Sequence, residues 1–169
     1  MLSLLTAALM MVSPSLNVTV PTLDVGRYLG TWYEIARFPS YFERGCVGTT
    51  ATYSLRSDGD IEVLNRCVKG SLQGKLKEAK GKAWVPNPSE PGKLKVQFFW
   101  PFRGDYWVVE LGENYQYSVV GNPDFDYCWI LSRTPTLPAE VYEGIVSRLK
   151  ERGYPVERFE RVPQAHPSK

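Results

Sequence analysis

Between residues 30 and 132 the sequence repeats one pattern, in which short runs rich in Val, Ile, Thr, Tyr, Phe and Trp alternate with clusters of turn-forming residues. This pattern is typical of β-strands joined by tight turns, such as the Asp-Gly turn within residues 57–60. Because no helical segment separates the runs, we expect consecutive antiparallel hairpins and not βαβ units. The predicted strands are residues 31–37, 47–55, 60–68, 75–85, 93–100, 105–111, 115–121 and 126–132.

A helical pattern begins only after the eighth predicted strand. Thr136 is suited to cap this helix, Pro138 to occupy its first turn, and Gly153 to end it. The run ERFERV that follows is a candidate ninth strand at the edge of the sheet. The apolar side chains of the helix recur at helical spacing and form one stripe, made of Val141, Tyr142, Ile145 and Leu149.

Eight sequential antiparallel strands and one amphipathic helix fit an all-β fold, a closed up-and-down barrel with the C-terminal helix packed outside it. Closure removes the exposed edges of the sheet. An eight-stranded barrel is either filled by its own side chains or able to hold one small ligand. A chain of 169 residues is long enough for one such domain. We expect the barrel domain at residues 24–163 and a flexible tail at residues 164–169.

Residues 1–23 are interpreted as a signal peptide or as a flexible N-terminal extension. Their apolar run MLSLLTAALMMV has the length of a signal-peptide core and is too short to span a bilayer. No Lys or Arg precedes the run, and no clean cleavage site follows it. The first alternative predicts an exported protein that is periplasmic, associated with an outer membrane, or secreted.

Charge and cysteine usage argue against two classes of function. The 20 basic and 18 acidic residues are spread along the chain without a basic run, so nucleic-acid binding has little support. No CxxC motif occurs and the single histidine, His166, lies in the predicted tail, so we expect no metal site. Three cysteines in an exported protein predict one disulfide and one free thiol.

Charged residues on two neighbouring strands fix which side chains point into the barrel. Within residues 78–83, Glu and Lys alternate with Ala and Gly, and within residues 93–98 Lys and Gln alternate with Leu, Val and Phe. The charged set must face water. With Trp32 on the inner face, alternation gives the inward set Trp32, Glu34, Ala36, Thr49, Ala51, Tyr53, Ile61, Val63, Asn65, Ala79, Gly81, Ala83, Leu94, Val96, Phe98, Tyr127, Trp129 and Leu131.

The expected interior is not a uniform apolar core. Its small side chains leave space that larger ones would fill, and an unpaired Glu34 carboxylate in a dry core would be costly. A partly hydrated cavity tolerates both Glu34 and Asn65; alternatively, Glu34 is tied to a tyrosine or an arginine as a structural bond. On the sixth strand, simple alternation favours Trp107 inward, whereas a bulge after the sequence FRGD would bring Tyr106 inward instead.

Two separated motifs resemble the signatures of the lipocalin family. LGTWYEIARF is similar to the first signature, whose Gly-x-Trp falls on Gly30 and Trp32, and DYCWILSRTP to the last-strand signature, whose basic residue falls on Arg133. The resemblance covers residues 24–163 and is greatest to bacterial outer-membrane lipocalins and apolipoprotein D-like lipocalins, through YFERGCVGTTATYSL and PFRGDYWVVEL. It implies a structural cation–π contact of Arg133 over Trp32 at the closed end of the barrel.

The same resemblance implies a binding protein that carries or stores a fatty acid, a lysophospholipid or a similar hydrophobic molecule without a cofactor, in envelope lipid maintenance or a stress response. Trp100 and Phe102 are expected to line the mouth of the barrel or to touch a membrane surface. We expect a monomer or a weak dimer. The candidate ligand contacts are Glu34, Ala51, Tyr53, Asn65, Val96, Phe98, Tyr106, Trp129 and Leu131.

The cysteines depart from the family pattern. Membrane-anchored members carry a lipid-modified cysteine directly after the signal peptide, whereas no cysteine precedes Cys46, so we expect no lipid anchor. Cys46 and Cys67 lie on strands joined by one hairpin and form the candidate disulfide. Strict alternation places them on opposite faces unless Cys46 precedes the regular strand. Cys128 is then an ordinary buried thiol.

Two other functions are alternatives. A lipid- or isoprenoid-modifying enzyme of this fold would use Cys67, which has inward parity, as a thiolate, or Glu34 as a general acid or base. No histidine is placed to serve as a base, and we do not expect catalysis. An interaction module with a filled barrel would bind no lipid.

Overall fold

The computed structural model describes residues 18–165; residues 1–17 and 166–169, which hold most of the predicted N-terminal segment and tail, lie outside this part. The strands are β1 (Gly30–Arg37), β2 (Cys46–Leu55), β3 (Ile61–Lys69), β4 (Lys75–Trp84), β5 (Lys93–Phe99), β6 (Phe102–Leu111), β7 (Tyr117–Gly121), β8 (Cys128–Ser132) and β9 (Glu160–Arg161). The helices are α1 (Val25–Tyr28) and α2 (Ala139–Glu151), and short 3-10 turns lie at Tyr41–Glu43, Glu113–Tyr115 and Val156–Arg158.

The first eight strands form a closed antiparallel barrel. Each strand pairs with its neighbours in sequence, and β1 closes the ring by pairing with both β2 and β8. Trp32 lies opposite Ala51 of β2, and Glu34 lies opposite Leu131 of β8. The predicted fold class is therefore confirmed. The predicted ninth strand is also present, since β9 pairs with the last two residues of β1.

Helix α2 covers one outer face of the barrel with the predicted apolar stripe. Ile145 and Leu149 are completely buried, and they pack in a cluster with Ile35 of β1 and Ile130 of β8. Gly153 ends the helix with a φ of +85°, a conformation that glycine adopts without a Cβ clash. This outer cluster gives both faces of β8 an apolar environment.

The predicted capping residue of α2 is wrong. The helix begins at Ala139, so Pro138 occupies the capping position and no side chain caps the first turn. Thr136 lies further upstream, and its carbonyl oxygen accepts a hydrogen bond from the Thr134 hydroxyl at 2.7 Å.

A β-bulge in β1 reverses the alternation of side chains after Glu34. Opposite β8, Glu34 and Ala36 pair with consecutive residues, so Ile35 is the extra residue. Ala36 consequently packs in the outer cluster beneath α2 and not in the barrel, contrary to the prediction. The next residue, Arg37, returns to the inner face.

A second bulge, in β6, decides the orientation of its aromatic residues. Val108 and Glu110 pair with consecutive residues of β7, so Val109 is extra. Tyr106 packs in the interior cluster and Trp107 packs in the outer cluster. The inward position favoured for Trp107 by simple alternation is therefore wrong. The reversal arises in the middle of the strand and not after the sequence FRGD.

A third bulge brings two cysteines together. Cys46 and Cys67 form a disulfide with a Cα–Cα distance of 5.4 Å. The register of β2 against β3 shifts at Gly48, which has a φ of +58°, and the extra residue moves Cys46 onto the face of Cys67. Cys128 is a buried free thiol. Burial raises its pKa well above the ordinary value.

Arg133 seals one end of the barrel. Its guanidinium carbon lies 3.7 Å from the centre of the Trp32 ring, and it donates hydrogen bonds to the carbonyl oxygens of Thr31, Arg27 and Tyr28 at 3.1, 2.7 and 3.2 Å. The Trp32 indole donates to the same Tyr28 carbonyl at 2.8 Å and is completely buried. A single charged side chain thus ties α1, β1 and the segment after β8.

Gly30 allows this approach. It opens β1 with a φ of +95°, and a Cβ at this position would lie 3.4 Å from Nη1 of Arg133. Any other residue would have to adopt a conformation that L side chains rarely take. Gly30 therefore permits both the turn between α1 and β1 and the close packing of Arg133.

Residues on both sides of the predicted domain 24–163 contact the barrel. The Val20 amide donates to the carbonyl oxygen of Val108 at 2.9 Å. The Gln164 side chain donates to the Glu34 carbonyl oxygen at 2.7 Å. Residues just outside each predicted boundary therefore contact the barrel. The boundaries at residues 24 and 163 stay predictions.

We expect Arg133→Met to lower the free energy of unfolding by about 3 kcal/mol, because it removes the cation–π contact and charge-assisted bonds to four carbonyl oxygens, the fourth being that of Tyr115. Urea denaturation followed by tryptophan fluorescence measures the change. The matched control is Arg56→Met, which breaks an exposed ion pair with Asp58 and should leave stability nearly unchanged. Equal stability of the two variants would contradict the role given to Arg133.

Candidate ligand-binding cavity

The interior of the barrel is closed at one end and accessible at the other. Inward side chains near Trp32, such as Tyr53 and Leu94, are almost completely buried. Several inward side chains between the middle of the barrel and the opposite end keep partial exposure: Ala51, Asn65, Ala79, Val96, Phe98 and Trp129. Partial exposure of inward side chains makes the half of the barrel remote from Arg133 the candidate space for a ligand.

The predicted ligand contacts all face this interior. Seven of them belong to one cluster of inward apolar side chains, namely Ala51, Tyr53, Val96, Phe98, Tyr106, Trp129 and Leu131. The other two lie opposite members of that cluster on neighbouring strands, Glu34 opposite Leu131 and Asn65 opposite Ala51. Their inward orientation is thus a structural fact, whereas contact with a ligand stays a prediction.

The wall of the cavity is loosest between β4 and β5. Residues 82–84 of β4 pair with residues 95–97 of β5. The half of β4 nearer the mouth pairs with β3 but not with β5. The Phe98 ring covers this region and lies on Gly81, where a Cβ would be only 2.7 Å from the ring. Such a Cβ would also lie 2.7 Å from the Gln97 carbonyl oxygen, so the close approach of β5 excludes a side chain at Gly81.

An ion pair stands at the mouth of the cavity. Nη1 of Arg37 donates to Oε1 of Glu34 at 2.8 Å, and both side chains are buried. Because the β1 bulge turns Arg37 inward, the two residues share a face that strict alternation would deny them. Of the two environments expected for Glu34, the structure shows the bond to an arginine.

The loop between β1 and β2, residues 38–45, is tied into this mouth. The Glu43 carboxylate accepts hydrogen bonds from the Trp129 indole at 3.1 Å and from the Ser40 hydroxyl at 2.9 Å. Nη2 of Arg37 donates to the carbonyl oxygen of Cys46 at 2.9 Å. A cleft of about 410 Å³, lined by Arg37 and Glu43 among others, borders the loop. Hydrogen bonds to Trp129 and Cys46 therefore fix the loop beside the mouth.

The pKa of Glu34 is raised well above its ordinary value of 4.5. Burial is the main cause, and the neighbouring Glu43 carboxylate adds to it, while Arg37 acts in the opposite direction. Two carboxyl groups and one guanidinium share this space, so a proton retained on Glu34 leaves the cluster close to neutral. The mouth thus holds a titratable group in an apolar setting.

A cluster of hydroxyl groups forms the floor of the cavity. The Tyr106 hydroxyl hydrogen-bonds the hydroxyls of Tyr28 and Tyr53, each at 2.8 Å, and Tyr28 also bonds Ser118 at 2.9 Å. Burial raises the pKa of Tyr28 to about 12 and raises those of Tyr53 and Tyr106 as well. These groups are therefore neutral hydroxyls at any physiological pH.

Four residues of this site escape prediction from the sequence. Arg37 is hidden by a bulge that has no signal of its own, since Ile35 and Ala36 are both apolar. Tyr28 and Glu43 lie outside the barrel strands, where no periodicity indicates an orientation. Alternation along the predicted strand 115–121 places Ser118 on one of its two faces. Alternation alone does not show which of these faces is the inner one.

Apolar and basic side chains are exposed around the mouth. Phe99, Trp100 and Phe102, at the β5–β6 hairpin, have 76%, 85% and 77% of their surface exposed. Tyr41 and Leu76 are exposed on neighbouring segments of the same end. The basic residues exposed at this end are Arg44, Lys69, Lys75, Lys77 and Arg103.

Residues 18–165 contain no group of three His, Cys, Asp or Glu side chains that could hold a metal ion. No helix in that same part of the chain is both long and apolar enough to pass through a membrane.

Comparisons with known proteins agree with this architecture. The model of a lipocalin-like domain matches residues 23–164. The chain is 46% identical over 146 residues to the outer membrane lipoprotein Blc of Vibrio cholerae, covering 86% of this chain and 85% of that protein. It is 40% identical over 152 residues to mouse apolipoprotein D, covering 85% and 78% of the two chains.

A solved structure supports the fold independently. Insecticyanin from the tobacco hornworm Manduca sexta superimposes with a TM-score of 0.69 at 22% identity, covering 88% of this chain and 84% of that one. At this level of identity the likeness concerns the fold alone.

We expect the wild-type protein to lose stability relative to Glu34→Gln as the pH rises. Since the folded state raises the pKa of Glu34, the stabilisation from its neutral form is complete below the ordinary value of 4.5 and is lost as the pH rises through the raised pKa. A tenfold difference in proton affinity between the folded and unfolded states corresponds to about 1.4 kcal/mol of stability. Urea denaturation at acid and mildly alkaline pH measures the difference.

The control for this comparison is Glu143→Gln, on the exposed face of α2. Its stability should follow that of the wild type at every pH. A pH-independent difference between the wild type and Glu34→Gln would show that Glu34 titrates normally in the folded protein.

Proposed function

The chain belongs to the lipocalin family, and we propose that it binds one fatty acid, lysophospholipid or similar amphiphile in its barrel, to carry or store it without chemical change. Small hydrophobic ligands are what this family binds. The observation that carries the proposal is the set of inward apolar side chains that keep partial exposure, including Ala51, Val96, Phe98 and Trp129. An apolar lining with few polar groups suits a small hydrophobic ligand.

The distribution of charge supports an anionic group at the mouth. Arg44, Lys69, Lys75 and Lys77 are exposed at that end, outside the buried pair of Arg37 with Glu34. The acyl chain would then lie along the apolar lining toward Tyr106. In this arrangement the nine candidate contacts act as lining, with Glu34 and Asn65 as the polar groups among them.

The relatives support a place in the cell envelope. The Vibrio cholerae protein is an outer membrane lipoprotein by name. We infer an exported protein that takes part in envelope lipid maintenance or in a stress response, as a monomer or a weak dimer. The predicted signal peptide, which lies outside the described residues, is required for this location.

The aromatic hairpin at the mouth supports contact with a membrane surface. Phe99, Trp100 and Phe102 form an exposed apolar patch, and exposed patches of this kind mark sites of interaction. Basic residues at the same end, such as Lys75 and Arg103, would favour an anionic lipid surface. Contact at this end would bring the mouth of the cavity to the lipid.

Cys67, the nucleophile of the enzyme alternative, is not a free thiol. Cys67 is bonded to Cys46 and so offers no thiolate. Glu34 is engaged by Arg37 at 2.8 Å. The buried Cys128 lies in the outer cluster beneath α2 and not in the cavity. Binding without catalysis is therefore the function that the arrangement of these groups supports.

We expect Ala51→Trp to weaken fatty-acid binding at least about tenfold, because a large inward side chain fills the space that the ligand needs. Titration with palmitic or stearic acid, followed by intrinsic tryptophan fluorescence, measures the affinity. The control, Ser54→Trp, places the same side chain on an exposed position of the same strand and should bind normally. Equal affinity of the two variants would contradict binding inside the barrel.

We expect joint replacement of Phe99, Trp100 and Phe102 by Ser to lower the partition onto anionic vesicles at least about tenfold, through lost apolar contact. Flotation with phosphatidylglycerol-containing vesicles measures it. Leu55→Ser is the control, because Leu55 is an exposed apolar residue at the opposite end of the barrel. If both variants float like the wild type, the aromatic hairpin is not a membrane contact.

A further inference from the structure

The floor of the cavity has an unused hydrogen-bonding capacity. Its four hydroxyls, those of Tyr28, Tyr53, Tyr106 and Ser118, carry four protons in total but form only three hydrogen bonds with one another. No further partner of these hydroxyls occurs among the described residues. At least one hydroxyl proton, together with several lone pairs, is therefore available to another molecule.

Tyr106 presents this capacity to the cavity. Tyr28, Tyr53 and Ser118 are almost completely buried, whereas Tyr106 keeps partial exposure. Tyr106 is also the centre of the network, since its hydroxyl bonds two of the others. Of these four side chains, Tyr106 is therefore the one that keeps surface open to another molecule.

Asn65 adds a second polar group close to the floor. It lies opposite Ala51, one inward position nearer the mouth than Val63, which pairs with Tyr53. Its side-chain amide has no hydrogen-bond partner within the described part of the chain. The deep half of the cavity thus combines an apolar wall with a free amide and a free hydroxyl.

A plain acyl chain does not match these groups. Pressing methylene groups against an unpaired hydroxyl or amide displaces water without replacing its hydrogen bonds, which costs free energy. A carboxylate at the floor would be buried without a cation beside it, because Arg37 stands at the mouth. A neutral oxygen on an otherwise apolar ligand satisfies both requirements.

We propose that Tyr106 and Asn65 form a second polar subsite, which selects amphiphiles bearing a hydroxyl or carbonyl oxygen on the part of the chain remote from the charged group. The inference rests on the proposed binding function and specifies its ligand class: oxygenated fatty acids or their lysolipid counterparts. The charged group stays with the basic mouth. The remote oxygen hydrogen-bonds the Tyr106 hydroxyl or the Asn65 amide.

The test compares stearic acid with hydroxystearic acids whose hydroxyl stands beside the carboxyl, at mid-chain or at the ω-end. Fluorescence titration of the wild type should give about fivefold tighter binding for the mid-chain or the ω-hydroxy acid than for stearic acid. The acid with its hydroxyl beside the carboxyl should gain nothing, because that group remains at the mouth.

Tyr106→Phe should remove the preference, so that the mid-chain and ω-hydroxy acids bind this variant no more tightly than stearic acid does. Comparing ligands across variants cancels their different solubilities in water. Tyr117→Phe is the matched control, because its hydroxyl bonds Glu110 outside the barrel and its loss should leave the preference intact. Asn65→Leu serves as a second variant if Tyr106→Phe does not fold, and is expected to reduce the preference.

Three results overturn the proposal. Equal affinity of the wild type for all four acids removes the subsite but leaves the proposed function standing. If the preference for the hydroxy acids remains in both Tyr106→Phe and Asn65→Leu, other residues cause it. Failure of every acid to bind overturns the proposed function and this inference with it.

Discussion

The arrangement depends on the backbone hydrogen bonds through which β1 pairs with both β2 and β8. Ring closure forces alternate side chains of eight strands into one confined space and turns the others outward. The outer set is then free to carry α2 on one face and charged residues elsewhere. The inner set includes Ala51 on β2 and Ala79 on β4, whose small side chains leave more of this space open than larger ones would.

Polar groups are confined to the two ends of this space. At the closed end Arg133 covers Trp32, and above it the tyrosine hydroxyls bond one another. At the mouth Arg37 pairs with Glu34, while Glu43 holds the Trp129 indole. Between them lie the apolar side chains, so the cavity has the polarity profile of a molecule with a polar group at each end.

The regular parts of this structure can be predicted from the sequence, whereas three irregular parts of the sheet cannot. Strand spacing, hairpin turns and the charged faces of β4 and β5 predict the barrel and most of its inner face. Each failure of strict alternation has a bulge as its cause. In β1 the extra residue is Ile35, beside Ala36, and in β6 it is Val109, beside Val108. Alternation cannot reveal an extra apolar residue among apolar neighbours. The third bulge, at Gly48, brings Cys46 to Cys67. Glu43 and Tyr28 lie outside the barrel strands, where no alternation of side chains predicts which way they point.

Native mass spectrometry of the protein purified without detergent shows whether the barrel encloses a space for one hydrophobic molecule. We expect a single non-covalent adduct with the mass of a lipid, or one that forms at a ratio of one to one when fatty acid is added. A spectrum of only the bare chain under both conditions would contradict such an enclosed space.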